Sequence, residues 1–374
     1  MTNRERVVEA LEHRQPDRVP VDLASTVVTG ITIAAYENLK KHLRVEAPTV
    51  VVDRYQQLAA VDEEVLRRFD IDFRPVYLSL PDNPRTHDLD ENTYVDEWGV
   101  KRYHPKDSFY YDVVDPPLAG EITVADVESY PWPNPHDPGY TRGLRDKAEA
   151  IQQRGYAVVC NFPSGFMHKL TYLRGFEDSY IDMAANHDIF QAMMEKILDF
   201  SLIVGERMLD EVGDLTDVVY KADDLATQTG PMMAMETYRK LVKPVHRKAI
   251  ELIKSKTDAK VFYHCCGAAR LLIPELIDIG VDILNPIQVS ATDMNPVELK
   301  REFGKDLTLW GGIDAHRVMP FGTPDDVRAE VRRRIEEMGK GGGYVLGTVH
   351  NIQPDVPPEN VCAMYDAALE YSYS

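Results

Sequence analysis

The stretch KVFYHCCGAARLL, residues 260–272, reads as a buried strand that ends in chemistry. Val261, Phe262 and Tyr263 form a short apolar run, and His264, Cys265, Cys266 and Gly267 follow at its carboxyl end. Short continuous apolar runs are what strands covered on both faces show, as in a parallel sheet packed under helices. Seven more runs of this kind occur along the chain: RVPVDL (18–23), FRPVYL (73–78), YAVVCNF (156–162), DVVYKAD (217–223), VDILN (281–285), LTLWGG (307–312) and GGYVLGTV (342–349). Most are followed by a segment of helical period. Eight such units predict an α/β fold, a (β/α)8 TIM barrel.

Several of the intervening helices are punctuated in the sequence. Thr2 with Glu5 has the capping-box spacing, and Asn295-Pro296 reads as N-cap and first helical residue with Gly304 ending the segment. Thr323-Pro324-Asp325-Asp326 opens another helix with Val327, Val331 and Ile335 on one face. The closing segment PPENVCAMYDAALEY stacks Val361, Tyr365 and Leu369 in the same way. Residues 79–135 break the rhythm. They hold many of the prolines, and NTYVDEWGVKRYHP (92–105) reads as a β-hairpin turning near Trp98-Gly99. The expectation is one barrel domain over 1–374 with 79–135 as a long insertion after the second strand, and a separate small domain is the alternative.

Composition narrows the function classes. The 374 residues carry a formal net charge of −19, with 44% hydrophobic and 28% charged residues, values of a soluble globular protein. This acidity argues against nucleic-acid phosphates and against anionic membrane surfaces as partners. No apolar run approaches the roughly 20 residues that span a bilayer. The first twenty residues carry charges where a signal peptide has its apolar region, so a cytoplasmic location is expected. Four cysteines in this length do not make a disulfide framework; Cys160 and Cys362 sit alone and read as buried thiols.

In a barrel, sites are built at the carboxyl ends of the strands. Asp22, Asn161, Asp223, Asp224, His264, Asn285, Gln288, Asp314 and His350 all fall there, and some of these Asp and Asn residues will be helix caps. Side chains alternate along a strand, so His264 and Cys266 share one face while Cys265 turns to the other. An imidazole and a thiol two residues apart make two ligands of a three-ligand catalytic zinc site. His350, Asp223 or Asp224 would supply the third. His264 as a general acid or a core histidine, and Cys266 as a small residue beside Gly267, are readings the spacing leaves open.

The segments LEHRQPDRVPVDL (11–23), DDLATQTGPM (223–232), HCCG (264–267), VDILNPIQ (281–288), LTLWGGID (307–314) and HNIQPDVPPENVCAMYDAA (350–368) give the chain its resemblance to a known group. Over nearly its whole length it resembles the uroporphyrinogen decarboxylase superfamily, in particular the decarboxylase-like branch that contains corrinoid-dependent methyltransferases. Uroporphyrinogen decarboxylases carry an arginine-rich segment after the first strand to hold the substrate's carboxylates. The matching stretch here, ASTVVTGITIAAY (24–36), has no arginine, which disfavours that substrate. The methyltransferase branch is similar in its His-x-Cys at the fifth strand, where zinc is bound, usually with a further Cys from the last loop. His264 and Cys266 match this pattern, and His350 stands where that Cys would be.

The resemblance thus implies zinc held by His264, Cys266 and His350, and a corrinoid supplied by a partner protein. Asp223, Asp224 and His350 would serve catalysis, and Asn161, Gln288, Asp314 and Asp22 would contact a small-molecule substrate. A homodimer is compatible with it. Two other readings stand beside methyl transfer: a metal-free decarboxylase or lyase acting on a small carboxylated compound, and a barrel that binds without catalysing.

Overall fold

The computed structural model describes residues 1–371. In chain order, β1 (Val51–Asp53) and β2 (Leu58–Ala59) form a two-stranded antiparallel ribbon. Strand β3 (Phe73–Val76) opens the main sheet. It is followed by β4 (His87–Asp88), β5 (Thr93–Val95), β6 (Lys101–Tyr103) and β7 (Asp112–Val114) of the insertion. The main sheet resumes with β8 (Ala157–Asn161), β9 (Val218–Ala222), β10 (Lys260–His264), β11 (Ile283–Asn285), β12 (Thr308–Ile313) and β13 (Tyr344–Thr348). Among the described residues, these make one seven-stranded sheet in the order β13-β12-β11-β10-β9-β8-β3, each pair parallel.

The first expected strand, 18–23, is reduced to a bridge between Val21 and Leu346. The Asp22 N–H donates to the Leu346 carbonyl and the Leu346 N–H to the Pro20 carbonyl, while the Asp72 N–H donates to the Val21 carbonyl. The segment therefore spans the gap between β13 and β3 and closes the barrel. It builds no longer ladder because Pro20 has no N–H and the Val21 N–H is taken by the Asp72 carboxylate at 2.7 Å.

Alternation along the strands divides the core in two. Phe73, Val159, Tyr220, Phe262, Ile283, Trp310 and Val345 fill the barrel interior, with Trp310 4.6 Å from the Phe73 ring and 5.0 Å from that of Phe262. Val7 and Leu11 of the first helix, Asn3–Leu11, join this interior cluster. The opposite set, including Val158, Val219, Val261, Tyr263, Cys265 and Leu284, packs outward against the helical layer. The helix starts follow the sequence: Thr2 and Glu5 form a reciprocal capping box, Asn295 accepts from the N–H groups of Val297 and Glu298, and Thr323 pairs with Asp326. No helix among the described residues is long and apolar enough to cross a membrane.

The insertion is a four-stranded antiparallel sheet, β4-β5-β6-β7. The expected hairpin is β5–β6, pairing Thr93 with Tyr103 and Val95 with Lys101. Its turn is closed by Asp96, whose Oδ1 accepts from the N–H groups of Trp98 and Val100, and Gly99 supplies the positive φ of +79°. The Tyr111 N–H donates to the Tyr55 carbonyl and so ties the insertion to the β1–β2 ribbon.

Candidate metal centre and substrate cavity

At the carboxyl end of β10, alternation places His264 inward and Cys265 outward. Cys265 is fully buried among the helices and accepts from the Leu225 N–H through its Sγ, and burial pushes its thiol well above the usual range. His264 lies 5.6 Å, ring to ring, from His350 and 3.3 Å from the Cys266 Sγ through its Nε2. One ligand atom each from His264, Cys266 and His350 fall within 4.8 Å of one another. The expected His-x-Cys pair and the last-loop histidine thus converge.

Neighbouring groups fix the chemistry of each ligand. The Asn285 amide donates to the Trp310 carbonyl at 3.3 Å, so its Oδ1 is the atom 2.6 Å from His264 Nδ1. His264 therefore carries its proton on Nδ1, and the Nε2 lone pair faces Cys266. Burial lowers the His264 pKa and, with the His264 ring beside it, lowers that of His350 to about 4. Both imidazoles are neutral at neutral pH, the form a metal needs. The Cys266 thiol is pushed up by burial and then by the nearby Asp224 charge. The His350 loop is held by Asn351, whose side chain accepts from the Gly30 N–H and donates to the Val27 carbonyl and to Gln56.

The two consecutive aspartates after β9 have different surroundings. Asp223 is fully buried. Its oxygens take the N–H groups of Met167 and His168, at the start of helix Phe166–Arg174, and lie 3.1 Å from His246 Nε2. Asp224 faces the cavity and accepts the Cys266 N–H at 2.7 Å. His168 stands between them, with Nδ1 3.2 Å from Asp223 and Nε2 3.4 Å from Asp224. Burial opposes charge on His168, but the two carboxylates outweigh it and raise its pKa to about 10. The same contacts hold both aspartates below the usual range against their own burial.

A cavity of about 520 Å³ opens beside these groups. Tyr55, Tyr110 and Tyr172 form one wall, with Tyr55 5.6 Å from Tyr172 and 6.3 Å from Tyr110. Asn161 also lines it; its amide donates to the Ser25 carbonyl, and its buried Oδ1 has no partner. The other expected contacts lie in bonds of their own. Gln288 accepts the Gly267 N–H at 2.6 Å, Asp314 accepts those of His316 and Arg317, and Asp22 accepts from Trp310 Nε1 and the Ser25 N–H. Burial raises the Asp22 pKa to about 6.

The family model for uroporphyrinogen decarboxylase (URO-D) matches residues 109–371. The chain belongs to the uroporphyrinogen decarboxylase family. Among curated relatives, a uroporphyrinogen decarboxylase from Pseudomonas fluorescens is 23% identical over 276 residues, covering 70% of this chain and 73% of its own. A methylated-thiol–coenzyme M methyltransferase from Methanosarcina mazei is 28% identical over 154 residues, 41% of this chain. That match spans only 38% of the relative's length. Among solved structures, a methyltransferase from Methanosarcina mazei superposes with a TM-score of 0.67 at 17% identity, covering 99% of both chains, which carries the barrel fold.

Within this uroporphyrinogen decarboxylase fold, reading the sequence missed His168, Lys169 and the tyrosine wall. His168 and Lys169 lie on a helix whose register is set by Gly165 at φ +80° and by Asp223 just after β9. Nothing local in SGFMHKL marks either one as a cavity residue. Asn285 was visible as a polar strand end, but its bond to His264 needed the register of β10 on β11, which pairs these two residues.

Proposed function

We propose that this chain is a zinc-dependent methyltransferase that moves a methyl group between a corrinoid on a partner protein and a small thiol, methyl ether or folate-type substrate. The observation that carries it is the convergence of His264, Cys266 and His350 within 4.8 Å, with Asn285 fixing the tautomer of His264. Ligand atoms around tetrahedral zinc, with bonds of about 2.0–2.3 Å, stand roughly 3.3–3.8 Å apart, so small side-chain rotations suffice. Two neutral imidazoles and a thiol are a fitting donor set, and the methyltransferase relative supports the methyl-transfer part of the reading. Zinc bound there would supply a Lewis acid at an open fourth position and make a thiolate available at neutral pH.

The chain's own residues do the rest. Asn285 orients His264, and Asp224 holds the Cys266 backbone while presenting negative charge to the cavity. His168, braced by Asp223, keeps Asp224 in place. Tyr55, Tyr110 and Tyr172 give the cavity an aromatic side against which a substrate packs, and Asn161 stands in the lining with its Oδ1 buried and without a partner. The cavity-facing Asp224 also favours a second reading, the metal-free lyase, in which this carboxylate stabilises a cationic intermediate and His350 moves protons.

Metal analysis of the purified protein, combined with Cys266→Ala, separates the two. Methyl transfer expects stoichiometric zinc in the parent, lost with activity in the variant. A zinc-free parent, together with a fully active Cys266→Ala variant, would sink it.

A further inference from the structure

The two histidines of the metal group are positioned by different means. The His264 ring is fixed through its second nitrogen by Asn285. Among the described residues no hydrogen bond reaches the His350 ring, so the loop backbone that carries it sets its place. That loop is pinned on both sides of the histidine. The Val349 N–H donates to the Ile313 carbonyl, and the Ile352 N–H donates to the Gly30 carbonyl. Between them, the Asn351 amide can take one orientation. The Gly30 N–H is a donor, so the atom 2.6 Å from it is Oδ1, and Nδ2 faces the Val27 carbonyl at 3.0 Å. The Gln56 atom 3.0 Å from that Nδ2 is therefore Oε1, and Gln56 Nε2 donates to the Val27 carbonyl at 3.2 Å.

Gln56 stands outside the main sheet, in the turn that joins β1 to β2, where its N–H donates to Asp53 Oδ1 at 2.8 Å. Asp53, Tyr55 and Gln56 of this ribbon all line the cavity. Backbone bonds from Ile33 to Gln57 and from Ala59 to Ile31 anchor the ribbon's base, and the Tyr111 N–H holds the Tyr55 carbonyl from the insertion. The direct tie from the turn to the ligand loop is the Gln56–Asn351 pair. A second tie runs beside it: Gln353 Nε2 donates to the Tyr110 hydroxyl at 2.7 Å and to the Asn351 carbonyl at 3.1 Å. Tyr55 and Tyr110, on the aromatic side of the cavity, thus hang on the loop that bears His350. A metal that draws His350 toward His264 and Cys266 joins this loop to β10, and the pull is felt at the next residue, Asn351.

We infer that Gln56 is a positioning residue for His350, and that through it the bound metal sets the ribbon turn that walls the substrate cavity. The inference rests on the metal centre of the methyl-transfer reading and adds an order to it. The metal binds first, and the cavity takes its final shape afterwards. Coupling of this kind is reciprocal, so loosening the turn weakens the metal.

The test compares two full-length variants with the parent. Gln56→Met keeps the side chain's length and removes both of its bonds. Gln57→Met makes the same change one residue on, where the amide donates to the Arg54 carbonyl at 2.8 Å, within its own turn. Each metal-free protein is titrated with zinc against a competing chelator, and amide hydrogen exchange is followed with and without zinc. Zinc binding should weaken about tenfold in Gln56→Met and stay unchanged in Gln57→Met. Zinc should slow exchange across residues 55–58 in the parent and in Gln57→Met, and that slowing should be absent in Gln56→Met. A merely structural role would lower the melting temperature of the metal-free protein and leave the zinc affinity where it was. Should Gln56→Met not fold, exchange in the parent decides alone. Equal zinc affinity in Gln56→Met and parent, an equal loss in Gln57→Met, or ribbon exchange in the parent that ignores zinc would overturn the coupling and leave the metal centre standing. A parent that binds no zinc removes the metal centre itself, and the coupling with it.

Discussion

The two ends of the barrel handle buried polar groups in opposite ways. At the amino-terminal end, Asp72 is fully buried, and its oxygens are taken by Arg6 Nη1 at 2.8 Å, Arg18 Nη1 at 2.8 Å and the Val21 N–H at 2.7 Å. Arg6 is also bound by Asp17, and Arg18 by Asp70, so the charges form a closed set. At the carboxyl end, His264 Nε2, the Cys266 thiol and His350 face one another, and Asn161 Oδ1 has no partner. Satisfied polar groups hold a structure together, whereas buried groups left unsatisfied point to a ligand that completes them. The same chain fastens its floor and leaves its mouth open.

The contrast breaks most sharply at Cys266. Cys266→Ala is expected to abolish zinc binding and methyl transfer while leaving the melting temperature of the chelated protein nearly unchanged, read by metal analysis, activity and calorimetry. At the opposite end, Asp72→Ala leaves two buried guanidinium groups without their shared partner. That change should cost about 3–5 kcal/mol in urea unfolding, with zinc stoichiometry intact at permissive temperature. If the floor variant lost zinc, or the mouth variant lost comparable stability, the division of labour between the ends would be wrong.

Smaller effects sharpen it. Asn285→Ala frees the His264 tautomer and should weaken zinc binding by about 10–100-fold in a competition titration. In metal-free protein, His350 stays neutral down to about 4 because of burial and His264. An unfolded histidine takes its proton near about 6.5, so the unfolded chain is protonated first and stability falls as pH drops from about 6.5 to about 4. His350→Gln should flatten that part of the stability–pH curve; an unaltered curve would place the histidine elsewhere. Least of all, Thr2→Ala removes the capping box from the helix at the barrel floor and should cost about 1 kcal/mol in urea unfolding, without any change at the mouth.

Much of this was legible in the sequence because a parallel barrel imposes a simple pattern. Strands buried on both faces read as apolar runs, and their alternation by itself separates Cys265 from His264 and Cys266. The run at 18–23 looks like its neighbours, yet Pro20 and the Asp72 side chain leave it only a bridge. The ribbon at 51–59 escaped notice because its strands are two and three residues long and Val51 is exposed. His168 escaped for another reason: its role depends on which carboxylates a neighbouring strand brings to it. Arg102 is clearer still, since nothing in VKRYHP distinguishes a guanidinium stacked on Tyr55 and Tyr172 from a surface charge. Ligands that follow one strand can be read from spacing, whereas partners gathered from several elements need the fold.

The most direct test of the methyltransferase account is X-ray absorption at the zinc edge on the loaded full chain, with Cys266→Ala and His350→Ala beside it. The account predicts one zinc per chain with a single sulfur neighbour at about 2.3 Å and nitrogen neighbours at about 2.0–2.1 Å. The sulfur should vanish in Cys266→Ala, and one nitrogen should be lost or replaced by oxygen in His350→Ala. A protein that retains no stoichiometric zinc, or a zinc shell without sulfur in the parent, would contradict it.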